Sequence, residues 1–91
     1  MYRITKYSHQ QAKRLGVDIK PSKRKGKKIN VFKKGVYIAS IGAIGYNDYP
    51  TYIAKFGRAY ANKRRKLYKI RHKKDRMKKG SAGYYADQIL W

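Results

Sequence analysis

Apolar positions along this chain come in short runs set between basic ones, and their spacing changes from run to run. Near the start, Ser8-His9-Gln10-Gln11 has the S-x-x-Q form of a capping box, in which the serine hydroxyl accepts from the third-position amide and the glutamine reaches back. Tyr7 and Ala12 stand where a hydrophobic staple closes, Leu15 continues their face, and Gly16 suits a left-handed end, so the pattern predicts a helix over 8–15. Ile29 to Phe32 and Val36 to Ile41 are rich in β-branched and aromatic residues. Lys33-Lys34-Gly35 between them fits a three-residue turn with a G1 bulge, predicting a β-hairpin over 29–41. Strict alternation puts apolar side chains on both faces of the second strand, so both should be buried. Two strands alone are marginal; helices must cover them, or a third strand near Tyr2 to Thr5 must extend them.

Gly42, Gly45, Asn47, Asp48 and Pro50 then mark a loop, and an aspartate shortly ahead of a proline is a helix start. In the helical segment over 50–79, Ile53, Phe56, Tyr60, Lys63, Leu67, Ile70, Lys74 and Met77 recur at alternating steps of three and four, a heptad stripe interrupted by two lysines. That stripe should face the core. Gly57 leaves open one continuous helix or a short one over 50–56 followed by a long one over 58–79. Gly80 ends the segment, and the neutral, aromatic run 81–91 should form a short docked helix that buries Trp91. The resulting expectation is an α+β fold: one basic domain over 1–91 with a short capped N-terminal helix, a basic loop over 20–28, the hairpin, a long basic helix and an aromatic C-terminal helix.

Charge changes the picture. The 91 residues carry 25 Lys and Arg against 4 Asp and Glu, a formal net charge of +21. Such self-repulsion is tolerated when a polyanion supplies counter-charge, and nucleic acid is the usual one. The 42% hydrophobic content is too high for a disordered basic tail. With no cysteine there is no disulfide framework, thiolate zinc site or cysteine nucleophile, which suits a reducing compartment. The longest uncharged stretch, Gly35 to Asn47, is well short of the ~20 apolar residues of a membrane span, and no apolar segment follows Met1, so neither membrane insertion nor secretion is expected.

Catalytic readings lack parts. There is no glutamate, and Asp18, Asp48, Asp75 and Asp87 are each isolated in sequence, Asp75 with Arg71 or Lys79 as an expected ion-pair partner. His9 and His72 are the only imidazoles, one in the capping box and one among lysines, so neither a metal nor another cofactor is expected. Gly35-Val36-Tyr37 matches half of a GIY-YIG nuclease motif whose second half and glutamate are missing. Gly42-Ala43-Ile44-Gly45 has the G-x-x-G spacing of a KH loop, but it follows a strand and is apolar, which fits a structural turn better. No enzyme is expected.

What remains is cationic density. Arg58 to Lys79 holds twelve lysines and arginines, of which Arg58, Arg64, Arg65, Lys69, Arg71, Lys73 and Arg76 are the expected phosphate contacts on the helix. Lys20, Lys23, Arg24, Lys25, Lys27 and Lys28 form a second cluster in what reads as a mobile loop. The tyrosines are expected mostly in the core or in a protein interface.

Arg64-Arg65-Lys66-Leu67-Tyr68-Lys69-Ile70-Arg71-His72-Lys73-Lys74-Asp75-Arg76, then Gly80-Ser81-Ala82-Gly83-Tyr84-Tyr85-Ala86-Asp87 and Ile89-Leu90-Trp91, resembles the C-terminal signature of small basic proteins of unknown function from nucleocytoplasmic large double-stranded DNA viruses. Ala39-Ser40-Ile41-Gly42-Ala43 and Tyr46-Asn47-Asp48-Tyr49-Pro50 are similar to that family's central signature, so the resemblance spans about residues 16–91. It implies a setting, the virion or the viral factory of an infected cell, and no activity. Two expectations follow: a protein that binds and condenses genomic nucleic acid, DNA before RNA, or a minor capsid component using basic and aromatic surfaces against capsid proteins. The heptad stripe also offers a route to a homo-oligomer.

Overall fold

A computed structural model describes residues 2–91. The first helix, α1 (Lys6–Leu15), starts earlier than the capping box suggests, because Thr5 is the cap: its hydroxyl accepts from the Ser8 amide at 3.2 Å. Ser8 therefore lies inside the helix, buried, and its Oγ donates to the Ile89 carbonyl at 2.9 Å, tying the chain's two ends together. A buried hydroxyl must find a partner, and here the partner is distant in sequence. Gly16 closes α1 in the left-handed conformation, as expected.

Three antiparallel strands follow, β1 (Asp18–Pro21), β2 (Lys27–Lys33) and β3 (Val36–Ala43), in the order β1-β2-β3. The third strand is thus Asp18–Pro21 and not a segment near Tyr2 to Thr5; Ile19 pairs with Val31 in the ladder. A four-residue edge strand bearing Asp18, Lys20 and a terminal proline has the composition that keeps sheet edges from aggregating, which also hides it from pattern reading. The basic block over 20–28 is correspondingly not a mobile loop: Lys20 lies in β1, Lys27 and Lys28 lie in β2, and only Ser22 to Gly26 connect them. The β2–β3 turn is shorter than expected. Lys33 pairs with Val36, Lys34 and Gly35 both take positive φ (51° and 78°) as in a type I′ turn, and the irregularity falls between Val31 and Phe32 instead.

One sheet face presents Ile29, Val31 and Ile41, which pack with Ala12, Val17, Tyr85, Ile89 and Leu90 into the core. Val36 and Tyr37 stay exposed at the hairpin tip, so the second strand is buried over only part of its length. α2 (Tyr49–Phe56) begins at Asp48, whose carboxylate accepts from the Thr51 amide at 3.1 Å. Gly57, at φ 89° and ψ 164°, then separates α2 from α3 (Arg58–Arg71). That backbone conformation is essentially restricted to glycine, so the residue forces two helices where a continuous one was the alternative. A second break at His72 sets off the single turn α4 (Lys73–Arg76). α5 (Ala82–Leu90), capped by the Ser81 hydroxyl, packs against α1 and β3.

The heptad stripe is turned away from the core. Phe56, Ile70 and Met77 are 57%, 64% and 68% exposed, and Tyr60 and Leu67 are exposed as well. At about 100° per residue, the inward face of α3 is the one shared by Ala61, Arg65 and Tyr68. Ala61 is fully buried, and Arg65, expected as an outward phosphate contact, instead covers an aromatic ring on this face.

Candidate functional site

Two of the four carboxylates are buried and hold a lysine each. Asp48, at the start of α2, accepts from Tyr2 Oη at 2.6 Å, from both the amide and hydroxyl of Thr51, and from Lys28 Nζ at 3.2 Å. Burial pushes this carboxyl up, but the hydrogen bonds of Thr51 and Tyr2 and the charge of Lys28 outweigh it and hold Asp48 below its ordinary range. The Tyr2 phenol, half-buried and bonded to that anion, is driven upward. Lys28 is only 5% exposed and also donates to the Tyr46 carbonyl, so this expected phosphate contact is a structural cation inside the fold. Asp87 similarly takes Lys69 at 2.7 Å. Asp75 meets neither Arg71 nor Lys79 within ion-pair distance; its carboxylate lies 3.6 Å from His72 Nδ1.

Among the described residues, Lys28 and Lys69 are thus the only two of the 25 lysines and arginines within ion-pair distance of a carboxylate. The others divide by position. Lys23, Arg24 and Lys25 are exposed on the β1–β2 connection, Arg58 is exposed at the first turn of α3, and Lys20 lies over the Phe32 ring at 5.7 Å. α3 sends its cations to two sides. On one side Arg65, Lys66, Lys69, Lys73 and Arg76 line a wide, shallow groove of about 660 Å³ with Ile70 as an apolar patch. Arg76 Nε donates to the Lys69 carbonyl at 3.1 Å, which fixes this wall across the break at His72. Arg65 lies 4.4 Å from the Tyr49 ring centroid, a cation–π contact that leaves its Nε without a hydrogen-bond partner.

The other side of α3 carries Arg64 and Arg71 and closes a cleft of about 400 Å³ against the β3–α2 loop. Its walls are aromatic. Trp91 stacks on Tyr68 at 4.4 Å with an interplanar angle of 9°, and Tyr52 meets Trp91 at 6.0 Å. Arg64 lies 5.5 Å from the Tyr52 centroid, and Tyr46, on the loop opposite, is 74% exposed. Burial, with the charge of Asp87 adding to it and Arg71 opposing it, pushes the Tyr68 phenol up to about 12. Gly42, first of the G-x-x-G pair, also lines this cleft. It has φ 78°, and a Cβ there would lie 2.8 Å from Leu90 Cδ1, so close packing explains the glycine without a nucleotide.

Composition located the cations but not this cleft. Its aromatics come from the loop before α2, from α2, from α3 and from the last residue, and no period links them. The signal available beforehand was the cluster Tyr46, Tyr49, Tyr52, in which only Tyr49 is buried. The chain matches no protein-family model, no curated protein and no solved structure.

Proposed function

We propose that the protein is a non-enzymatic nucleic-acid-binding protein that grips phosphate backbones with low sequence specificity. The observation that carries this reading is the unbalanced charge: among the described residues nearly all of the cations have no internal carboxylate partner, and four of these, Arg65, Lys66, Lys73 and Arg76, wall one groove beside the paired Lys69. Arginine can clamp a phosphate through two donors, whereas lysine adds a point charge, and both release condensed counterions on binding. The amide oxygen of Asn62, which also lines the groove, already accepts from the Tyr49 hydroxyl, and the lysines act on phosphates as point charges, which supports low sequence specificity. The resemblance over residues 16–91 supplies the setting, in which such a protein would package or condense a viral genome inside the virion or the viral factory.

Titrating a fluorescent DNA duplex from about 50 to 200 mM salt should give a log–log slope of about −5 to −9, the signature of six to ten neutralised phosphates. Replacing Lys66 and Lys73 together by glutamine removes two exposed groove cations and should make the slope shallower by about 2. A wild-type slope of only one or two would remove the reading. A second reading, a minor capsid component, rests on a different observation: Phe56, Ile70 and Met77 are exposed apolar side chains, Ile70 among those cations, and suit a protein neighbour. It takes precedence if duplex binding vanishes at modest salt.

A further inference from the structure

We infer that the cleft between α3 and the β3–α2 loop receives an unpaired nucleobase, making single-stranded nucleic acid the preferred ligand of the protein. The inference rests on the phosphate-binding reading and adds to it a site on the opposite side of α3 from the cationic groove. A nucleotide needs a flat apolar surface for its base and a cation within one backbone step for its phosphate. Tyr52, Tyr68 and Trp91 supply the first from within one cleft, and Arg64 and Arg71 on its rim supply the second. Cation and aromatic surface adjoin: the Arg64 guanidinium lies over one face of Tyr52, 5.5 Å from the ring centroid.

Tyr46 is the residue that a purely structural account leaves over. It lines the cleft, yet 74% of it faces solvent, and it directly follows Gly45 on the β3–α2 loop, where its own carbonyl accepts from Lys28. An aromatic ring held on an anchored loop across from a stacked Tyr68–Trp91 pair is placed to close over a base entering between them. A volume of about 400 Å³ is that of a small-molecule site and too small for a duplex end. Bases inside a duplex are stacked on one another and cannot enter, so the cleft selects strands whose bases are free.

Trp91 is the only tryptophan, so its fluorescence reads this cleft directly in the full chain. The protein is titrated with short oligo-dT, oligo-U, an abasic oligonucleotide of the same length and charge, and the matching duplex. Base stacking predicts saturable quenching of Trp91 by oligo-dT or oligo-U, with affinity about tenfold above that of the abasic strand; the tighter of the two identifies DNA or RNA as the source. Tyr46→Ala, an exposed position, should reduce single-strand affinity about fivefold while leaving duplex affinity unchanged, and Tyr46→Phe should retain it. Equal binding of the base-bearing and abasic strands with Trp91 unquenched would overturn the inference and leave phosphate binding standing. Failure of every strand to bind would remove both.

Discussion

Asp48 joins three parts of the chain with one carboxylate: it caps α2, neutralises the buried Lys28 of β2, and accepts from Tyr2 ahead of α1. Asp48→Ala removes the cap and leaves an ammonium in the interior, so a loss of about 3–5 kcal/mol is expected in urea unfolding. Asp48→Asn can still cap the helix and should cost less than the alanine variant. The pH dependence has two limbs. Because the folded carboxyl titrates below its ordinary 3.8, its stabilisation is complete above that value and is lost as pH falls through the folded pKa. The Tyr2 phenol is raised from 10.0, so its contribution is complete below pH 10.0 and is lost as pH rises further. Asp48→Asn should flatten the acid limb and Tyr2→Phe the alkaline one, both read from unfolding midpoints across pH.

Among the elements, the helix breaks and the stripe behave differently from one another. Gly57 occupies a conformation that alanine reaches only with strain, and Gly57→Ala should cost about 1–3 kcal/mol, or gain helicity by circular dichroism if α2 and α3 fuse. The outward stripe gives a sharper test: Ile70→Ala should change stability by less than about 0.5 kcal/mol. Ile89→Ala, in the core, should cost about 2–5 kcal/mol in the same assay. Elements set by local chemistry were legible in the sequence: the Asp48 cap, the Gly16 end, the hairpin and the neutral C-terminal helix all formed where residue type requires them. Elements set by distant partners were not. Asp18–Pro21 becomes a strand only because β2 pairs with it, and Ser8 becomes interior only because Ile89 lies across from it. The orientation of α3 follows from Arg65 on Tyr49, Lys69 on Asp87 and Tyr68 on Trp91, contacts that a count of apolar spacings scores as polar or misses. The thirteen candidate cations were found by density alone, which could not separate the structural Lys28 from the groove-lining Lys73.

Taken whole, the molecule confines a formal charge of +21 to extents of 37 × 28 × 25 Å. At 0.1 M salt the Debye length is about 10 Å, so every cation feels several neighbours, and at lower ionic strength it feels nearly all of them. Unfolding lets those charges separate, which makes self-repulsion a term that opposes the folded state. Counter-ions that gather on the folded surface must then stabilise it by mass action. Raising sodium chloride from low to moderate concentration should add about 1 kcal/mol or more, which for a domain of this size lifts the melting temperature by about 4–8 °C. A polyphosphate at far lower concentration should do the same, because its linked charges bind the cationic groove together, and the Lys66/Lys73 double variant should respond less. Differential scanning fluorimetry with both anions reads the effect. A melting temperature indifferent to salt and polyphosphate alike would mean that the cations do not repel enough to require a partner, and the charge argument for a polyanion ligand would fall with it.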